Sequence, residues 1–122
     1  MRRFFLVLSL FAALPSWAGP AEILAAHAAR ARQENPAFTG FSATAGERFY
    51  HTKGESGVSC ASCHTDDPRA EGRHRTTGRA IAPIAPAANR ERLSDAAKVE
   101  KWFARNCRDA RNRACTTQEK GD

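Results

Sequence analysis

The feature that most constrains this chain is the pentapeptide Cys60-Ala61-Ser62-Cys63-His64. Two cysteines separated by two residues and followed at once by histidine form the attachment sequence of c-type haem. Two thioether bonds hold the porphyrin edge in such a site, and the adjacent histidine reaches the iron from one face. The sequence therefore predicts one covalently bound haem c, attached to Cys60 and Cys63, with His64 as the proximal iron ligand.

Two other uses of this motif fit less well. A structural zinc site needs four ligands, and the remaining cysteines, Cys107 and Cys115, are eight residues apart, outside the close spacing of a second half-site. A thioredoxin-like pair needs a strand before it within a βαβ unit, whereas the residues flanking Cys60 and Cys63 are glycine-containing and loop-like. Haem attachment is the better interpretation.

Residues 1–18 have the pattern of a secretory signal peptide. Arg2 and Arg3 precede an apolar run over residues 4–14, and small residues surround Ala18 at the expected cleavage site. That run has eleven residues, whereas a membrane-spanning helix needs about twenty. We therefore expect export to the periplasm, removal of residues 1–18, and one soluble monohaem domain over residues 19–122 that does not span a membrane.

The charge pattern excludes one class of partner. Lysine and arginine number 19 against 13 acidic residues, which gives the full chain a net charge of +6. Basic residues are scattered among acidic ones, as in Arg90-Glu91-Arg92 and Lys98-Val99-Glu100-Lys101, a pattern that is usually a solvated face and only occasionally a docking patch. We do not expect nucleic-acid binding.

Two helices are predicted before the motif. Pro20–Glu34 begins with proline in the first turn and is ended by Asn35-Pro36, with an apolar stripe on which His27 also lies. Thr44–Glu47 has capping-box spacing and predicts a second helix through His51. Residues 52–59 are polar and contain glycine, so they predict the loop that presents the cysteines.

Residues 65–93 show no sustained period, and their prolines and glycines argue against helix or strand. An irregular stretch of this length is unusual in a compact domain unless it is functional. We expect it to cover the porphyrin with apolar side chains such as Ile81 and Ile84. Three arginines in this stretch are candidates for pairing with the haem propionates, although solvated positions suit them equally: Arg73, Arg75 and Arg79.

The last long helix is predicted to begin at Ser94-Asp95, with Val99, Phe103 and Asn106 on one side. Asparagine commonly ends a helix, and the residues alone favour that role for Asn106 over iron ligation. Thr116–Glu119 has capping-box spacing shortly before the chain stops, so we expect either a frayed tail or, preferably, a truncated last helix. The predicted fold is mostly α: a class I-like cytochrome c fold around one haem, with long irregular loops.

The second axial ligand cannot be a methionine of the mature chain, because the only methionine is Met1. The residues leave several candidates open: His27, His51, His74, a lysine, Asn106 or an empty position. Cys107 and Cys115 are the pair that remains after haem attachment. In an oxidising compartment they are predicted to form a disulfide.

Four stretches together are similar to the oxygen-binding monohaem cytochromes called sphaeroides haem proteins: Cys60–Thr65, Thr77–Arg79, Ile81–Pro83, and Val99–Cys107 with Cys115. In that family and its relative cytochrome c″, the residue before the first cysteine of a small disulfide loop ligates the iron and detaches on reduction. The resemblance implies this role for Asn106. It also implies a dihaem cytochrome c and a membrane cytochrome b as redox partners, and a further C-terminal helix.

The resulting hypothesis is an electron-transfer protein, not an enzyme, whose ferrous haem binds oxygen or another diatomic gas. A plain electron shuttle with six-coordinate haem in both oxidation states is the first alternative. A peroxidase-like enzyme is the second, and it would need an acid or base over the iron, for which His51 and His74 are the histidine candidates. No motif in the sequence requires catalysis.

Overall fold

The computed structural model describes residues 19–122, so the predicted signal peptide lies outside the described residues. The described chain is mostly helical, with two very short strands: α1 Pro20–Glu34, α2 Ala43–His51, α3 Ala61–His64, β1 Gly72–Arg73, β2 Ala80–Ile81, α4 Ala96–Arg111 and α5 Thr117–Gly121. Within residues 19–122, no helix combines the length and the apolar character needed to cross a bilayer. The predicted mostly α class is confirmed.

Helix α1 has the predicted bounds because both of its ends are set locally. Pro20 occupies the first turn, where its missing N–H costs no hydrogen bond, and Glu22 lies in the same turn. At the other end, the backbone N–H of Asn35 donates to the Ala31 carbonyl over 2.8 Å. Ile23 and Ala31 are buried on the face that packs against α5.

Helix α2 begins two residues earlier than predicted, with Ser42 instead of Thr44 at the cap, so the predicted capping box at Thr44–Glu47 is wrong. Ser42 is the N-cap, and its hydroxyl accepts a hydrogen bond from the Ala45 N–H over 3.2 Å. The Ser42 N–H in turn donates to the Asp122 carboxylate over 2.8 Å. This contact, made by a residue at the far end of the chain, fixes Ser42 as the cap and has no signal in the local sequence.

Residues 65–93 are largely irregular, as predicted, but the expectation that they contain no strand is wrong. β1 and β2 pair in antiparallel fashion, with Gly72 opposite Ile81 and Arg73 opposite Ala80. The connecting turn is closed by hydrogen bonds from His74 N–H to the Arg79 carbonyl and from Gly78 N–H to the His74 carbonyl, both over 2.8 Å. Two-residue strands carry no alternating pattern, so sequence periodicity cannot reveal them.

Helix α4 continues five residues beyond Asn106, so the predicted helix-ending role of Asn106 is wrong. Asp95 caps the start by accepting from the Lys98 N–H over 2.9 Å, and Asn112 ends the helix with a left-handed φ of 54°. The disulfide predicted between Cys107 and Cys115 is present and joins α4 to the segment before α5, with Cα atoms 5.6 Å apart.

Helix α5 is short, but it is held by its neighbours. Thr116 and Glu119 form the predicted capping box, and α5 packs against α1 and α2. Gly121 lies against the Phe41 ring so closely that a side chain there has no room. Tertiary packing thus supplies the stability that so short a helix lacks alone.

Candidate haem site

Helix α3 is a single turn that places the two cysteines and the histidine of the motif together. The N–H groups of Cys63 and His64 donate to the Cys60 carbonyl over 3.2 and 3.0 Å. Ser59 is buried and caps the turn reciprocally with Ser62: each serine hydroxyl accepts from the backbone N–H of the other, over 3.2 and 3.0 Å. Cys60 and Cys63 are half-buried free thiols three residues apart, and therefore on one face of the turn.

The environment favours the uncharged forms of Cys60 and His64. Burial raises the pKa of the Cys60 thiol, and the nearby Arg111 guanidinium opposes part of that shift. Burial, followed by the positive charge of Arg92, lowers the pKa of His64. His64 is therefore a neutral imidazole at neutral pH, the form in which a ring nitrogen has a lone pair for iron.

The residue after His64 is held in a left-handed conformation. Thr65 has a φ of 65°, which is uncommon for a residue with a side chain. The Tyr50 hydroxyl donates to the Thr65 carbonyl over 2.8 Å, and the Thr65 hydroxyl donates to the Asp67 carbonyl over 2.8 Å. Burial raises the pKa of Tyr50 to about 12, so the phenol stays a hydrogen-bond donor at neutral pH.

Strand β1 supports α3 from another direction. The backbone of Gly72 lies directly against the Cys63 carbonyl and the His64 Cα, and a methyl group at position 72 would collide with both. Gly72 is buried accordingly. Neither Tyr50 nor Gly72 was identified from the sequence; Tyr50 is the chain's only tyrosine, but nothing near it in sequence indicates its contact with Thr65.

Helix α4 carries Asn106 on the face that packs into the protein. Val99 and Ala110 are buried, Phe103 is half-buried, and the three positions share one side of the helix with Asn106. The Asn106 side chain is nevertheless exposed. Among residues 19–122 its carboxamide takes part in no side-chain hydrogen bond, so its oxygen and nitrogen are both free.

The end of α4 is tied to the segment that leads into the motif. Ser56 Oγ donates to the Ala110 carbonyl over 3.2 Å, and Gly54 packs so closely against the same carbonyl that it admits no side chain. Arg111 Nη2 donates to the Phe49 carbonyl over 2.6 Å, with the guanidinium carbon 4.1 Å from the centroid of the Phe49 ring. Arg111 was missed by sequence reasoning because surface arginines and buried ones look alike in a sequence.

The other predicted candidates for iron ligation are engaged elsewhere. His27 packs between α1 and α4, with Nε2 3.5 Å from Glu100 Oε1 and its ring 6.4 Å from that of Phe103. His51 Nδ1 lies 3.4 Å from Asp66 Oδ1. His74 Nδ1 accepts a hydrogen bond from the Thr77 N–H over 3.1 Å, in the hairpin turn.

The candidates for contact with the porphyrin and its propionates lie in or near the hairpin. Ile81 and Ile84 are half-buried, as an apolar cover requires. Arg73, Arg75 and Arg79 are exposed, and Arg73 Nη1 donates to the Gly78 carbonyl over 2.8 Å. Their pairing with propionates stays a prediction.

The chemistry of the donor set fits covalent haem. Cys60 and Cys63 remain free although Cys107 and Cys115 in the same chain are bonded to each other. Among residues 19–122, no three histidine, cysteine or carboxylate side chains converge as the ligands of one metal ion would. Two free thiols and a neutral imidazole on one turn suit two thioether bonds and one axial ligand better than a zinc site.

Comparison with known proteins supports the same cofactor. A family model described as "Domain of unknown function (DUF1924)" matches residues 36–122. The cytochrome c-type protein SHP of Cereibacter sphaeroides is 40% identical over 125 residues, which cover 97% of this chain and 92% of that protein. Cytochrome c″ of Methylophilus methylotrophus is 38% identical over 96 residues, covering 75% of this chain and 67% of that protein.

Solved structures extend the similarity to the fold. Oxidized SHP, described as an oxygen binding cytochrome c, superposes with a TM-score of 0.74 at 36% identity, over 84% of this chain and 89% of that one. Oxidized cytochrome c″ gives a TM-score of 0.74 at 34% identity, over 84% and 86% of the two chains. The predicted cytochrome fold and haem c cofactor are therefore confirmed: the chain matches the DUF1924 family model and belongs with the c-type cytochromes SHP and cytochrome c″.

Proposed function

We propose that this cytochrome is an exported electron carrier in which His64 and Asn106 would hold the ferric haem iron, and in which Asn106 would detach on reduction so that a diatomic gas such as oxygen could bind. Cys60 and Cys63 would hold the haem. The observation that carries the proposal is the position of Asn106 in the interior of α4, on the packed face, with a carboxamide that neither ends the helix nor serves another side chain. The relatives support it: SHP is described as oxygen binding, and a solution structure of cytochrome c″ addresses haem-ligand detachment.

The chemistry of the amide explains why such a ligand leaves on reduction. A carboxamide oxygen is a hard, neutral and weak donor, which suits ferric better than ferrous iron. The haem supplies the one-electron couple and the iron that accepts the gas. In this chain, methionine ligation would require Met1, which lies within the predicted signal peptide.

The part that moves is the Asn106 side chain rather than the end of the helix. Cys107, the next residue, is buried and bonded to Cys115, and one turn later Arg111 is fixed to the Phe49 carbonyl. Because the backbone around Asn106 is braced in this way, rotation of the side chain costs less than displacement of α4. A change of rotamer would therefore be the movement by which Asn106 leaves the iron or returns to it.

The test is Asn106→Ala, compared with Asn112→Gly as a matched control. Asn112 is on the same helix, but it serves as the left-handed C-cap, where glycine is equally suitable. We expect the ferric spectrum of Asn106→Ala to change from low-spin to high-spin or water-ligated, whereas the control keeps the original spectrum. An unchanged ferric spectrum in Asn106→Ala would show that asparagine is not the ligand, and His27, His51 and His74 would be tested next.

Carbon monoxide separates the gated site from a plain shuttle. The ferrous protein is expected to be high-spin and to bind carbon monoxide within the mixing time of a stopped-flow experiment. A shuttle with permanent six-coordinate iron would show little change on addition of the gas.

Export is tested by the intact mass of protein taken from the periplasm. The expected mass is that of residues 19–122 plus one haem. A mass equal to the bare polypeptide, or one that includes residues 1–18, would contradict this part of the proposal.

The absence of a catalytic role is part of the same proposal. The two histidines that an enzyme would need as acid or base have other partners: His51 lies beside Asp66, and His74 accepts from the Thr77 N–H in a turn. Substituting both with alanine should leave gas binding and electron transfer unchanged. By family resemblance, the electron partners are a dihaem cytochrome c and a membrane cytochrome b.

A further inference from the structure

The outer side of α4 is strongly cationic. Four exposed basic side chains recur there at helical spacing, turned away from buried Val99 and Ala110, and we refer to them as the basic stripe: Lys98, Lys101, Arg105 and Arg108. Asp109 is the one exposed acid on that side of α4. At 1.5 Å per residue, the stripe is about 15 Å long.

The basic stripe is not neutralised within the described chain. Between residues 19 and 122, the arginine and lysine side chains in ion pairs are Arg30, Arg69, Arg113 and Lys120, and none belongs to the stripe. Glu100, the acid next to Lys101, points to the opposite side of α4, where Oε2 lies 2.6 Å from Lys120 Nζ. The positive potential of the stripe therefore faces solvent and attracts an anionic surface.

Trp102 lies between the basic stripe and the face that carries Asn106. Its side chain is 41% exposed, and the guanidinium carbon of Arg105 is 5.8 Å from the centroid of its ring. Tryptophan and arginine are the residues most enriched among those that dominate protein interfaces, because each buries a large area at one contact. An exposed tryptophan bordered by cations favours a protein partner over a free anion.

We infer that the basic stripe and Trp102 form the docking surface for an acidic electron-transfer protein. The inference rests on the proposed role as an electron carrier, and it adds the chemistry of the partner and the surface that receives it. Complementary charge would steer the partner onto α4, and Trp102 would be buried in the complex. Because α4 also carries Asn106, a partner docked there lies beside the proposed ligand of the iron.

The test compares two variants of the holoprotein, each with two basic residues replaced by glutamate, so that both variants have the same net charge. Lys98→Glu with Lys101→Glu removes half of the stripe, whereas Lys53→Glu with Arg90→Glu removes two exposed cations elsewhere. The probe is reduced plant-type two-iron ferredoxin, a strongly acidic electron-transfer protein. At low ionic strength, the rate of cytochrome reduction should fall about tenfold or more in the stripe variant, within the range of electrostatic steering, and less than about twofold in the control.

Two further measurements complete the test. Reduction by uncharged lumiflavin semiquinone should be equal in all three proteins, and the ferric and ferrous spectra should be unchanged. Failure of the ligand proposal would appear in those spectra and not in the ferredoxin rates, so the two proposals fail separately. Trp102→Ala should slow the ferredoxin reaction at high ionic strength too, where charge effects are screened.

Equal slowing in the stripe variant and its control would show an effect of net charge alone and would overturn the inference. Vesicles of phosphatidylcholine and phosphatidylserine in equal parts test an anionic membrane as the occupant instead. If the stripe variant lost vesicle binding while keeping the wild-type ferredoxin rate, the assignment to a protein partner would be wrong.

Discussion

The two proposed axial ligands lie in very different surroundings. His64 ends a single helical turn that other parts of the chain hold in place, through the Tyr50 hydroxyl on Thr65 and the backbone of Gly72 against Cys63 and His64. Asn106 lies in the interior of a 16-residue helix, with its carboxamide exposed. A permanent ligand is thus fixed by contacts from outside its own element, whereas a detachable one needs a firm helix and a free side chain.

The difference follows from helix length. A four-residue turn such as α3 cannot form by itself, because nucleation costs more than one or two hydrogen bonds return. It therefore depends on contacts that also determine where His64 points. Helix α4 is long enough to be regular, with a cap at each end, Asp95 and Asn112, and the disulfide at Cys107.

Removing the fixed ligand should have the largest effect. His64→Ala leaves α3 without a side chain that can ligate iron, so we expect almost no mature holoprotein in the periplasm. Haem absorbance per mole of polypeptide measures this. His74→Ala is the matched control, because His74 serves only the hairpin turn, and it should mature normally. Normal yield and a wild-type spectrum for His64→Ala would show that another residue is the proximal ligand.

Strengthening the detachable ligand should come next. Imidazole is a better ligand for haem iron than an amide, so Asn106→His should keep the sixth position closed in the ferrous state. We expect the affinity for carbon monoxide to fall about tenfold or more, in proportion to the fraction of time the site is closed. Arg105→His, which places imidazole on the basic stripe instead, should bind the gas normally. Equal gas binding in both variants would contradict the proposed position of residue 106.

Removing the disulfide between Cys107 and Cys115 should have an intermediate effect. Replacing both Cys107 and Cys115 with alanine removes the disulfide and opens the short loop between them. The free energy of unfolding, measured with urea, should fall by about 2.5 kcal/mol, the contribution expected from closing a loop of this length. If the disulfide also positions Asn106, the reduction potential of the double variant should differ from that of the wild type in a redox titration. A loss of stability without any shift in potential would show that the disulfide serves stability alone.

Loosening the support of the fixed ligand should have a smaller effect. Tyr50→Phe deletes the hydrogen bond to the Thr65 carbonyl and should lower the free energy of unfolding by about 1 kcal/mol. It should also shift the reduction potential, because Thr65 adjoins His64. The control is Thr52→Ala, which deletes an exposed hydrogen bond to the Arg48 carbonyl within α2 and should leave the potential unchanged. If Tyr50→Phe and Thr52→Ala had the same reduction potential, the hydrogen bond from Tyr50 would not contribute to the position of His64.

The smallest expected effect is an acid-dependent loss of stability near α5. The hydrogen bond from Arg113 lowers the pKa of the Glu119 carboxyl. A lowered pKa in the folded state stabilises the protein above the ordinary pKa of glutamate, and the stabilisation is lost as pH falls through the folded-state value. The pair lies at the surface, where solvent screens the charges, so its contribution is small. The free energy of unfolding, measured with urea at a series of pH values from neutral to below the ordinary pKa of glutamate, should fall less with decreasing pH in Glu119→Gln than in the wild type.

The sequence predicted those elements whose signals are local. Pro20 and Asn35 define α1, and the Thr116–Glu119 box defines α5, because each signal acts within one helical turn. The attachment motif likewise lies within five residues, and the disulfide follows from counting cysteines.

What the sequence did not predict depends on contacts between distant segments. The start of α2 is set by Asp122, the hairpin contacts α3 through Gly72, and Arg111 binds the Phe49 carbonyl. Asn106 was ambiguous for a related reason. An asparagine that ends a helix and one in its interior look the same until the true cap, Asn112, is known.

The ties between α4 and the segment before the motif also imply an order of assembly. Gly54 and Ser56 are docked on the Ala110 carbonyl, and both motif thiols are half-buried in the folded chain. An enzyme that joins a large planar macrocycle to two thiols needs access to both at once. On the proposed roles of Cys60 and Cys63, attachment therefore precedes the docking of residues 54–56 onto α4, and the chain completes its folding around a haem that it already carries.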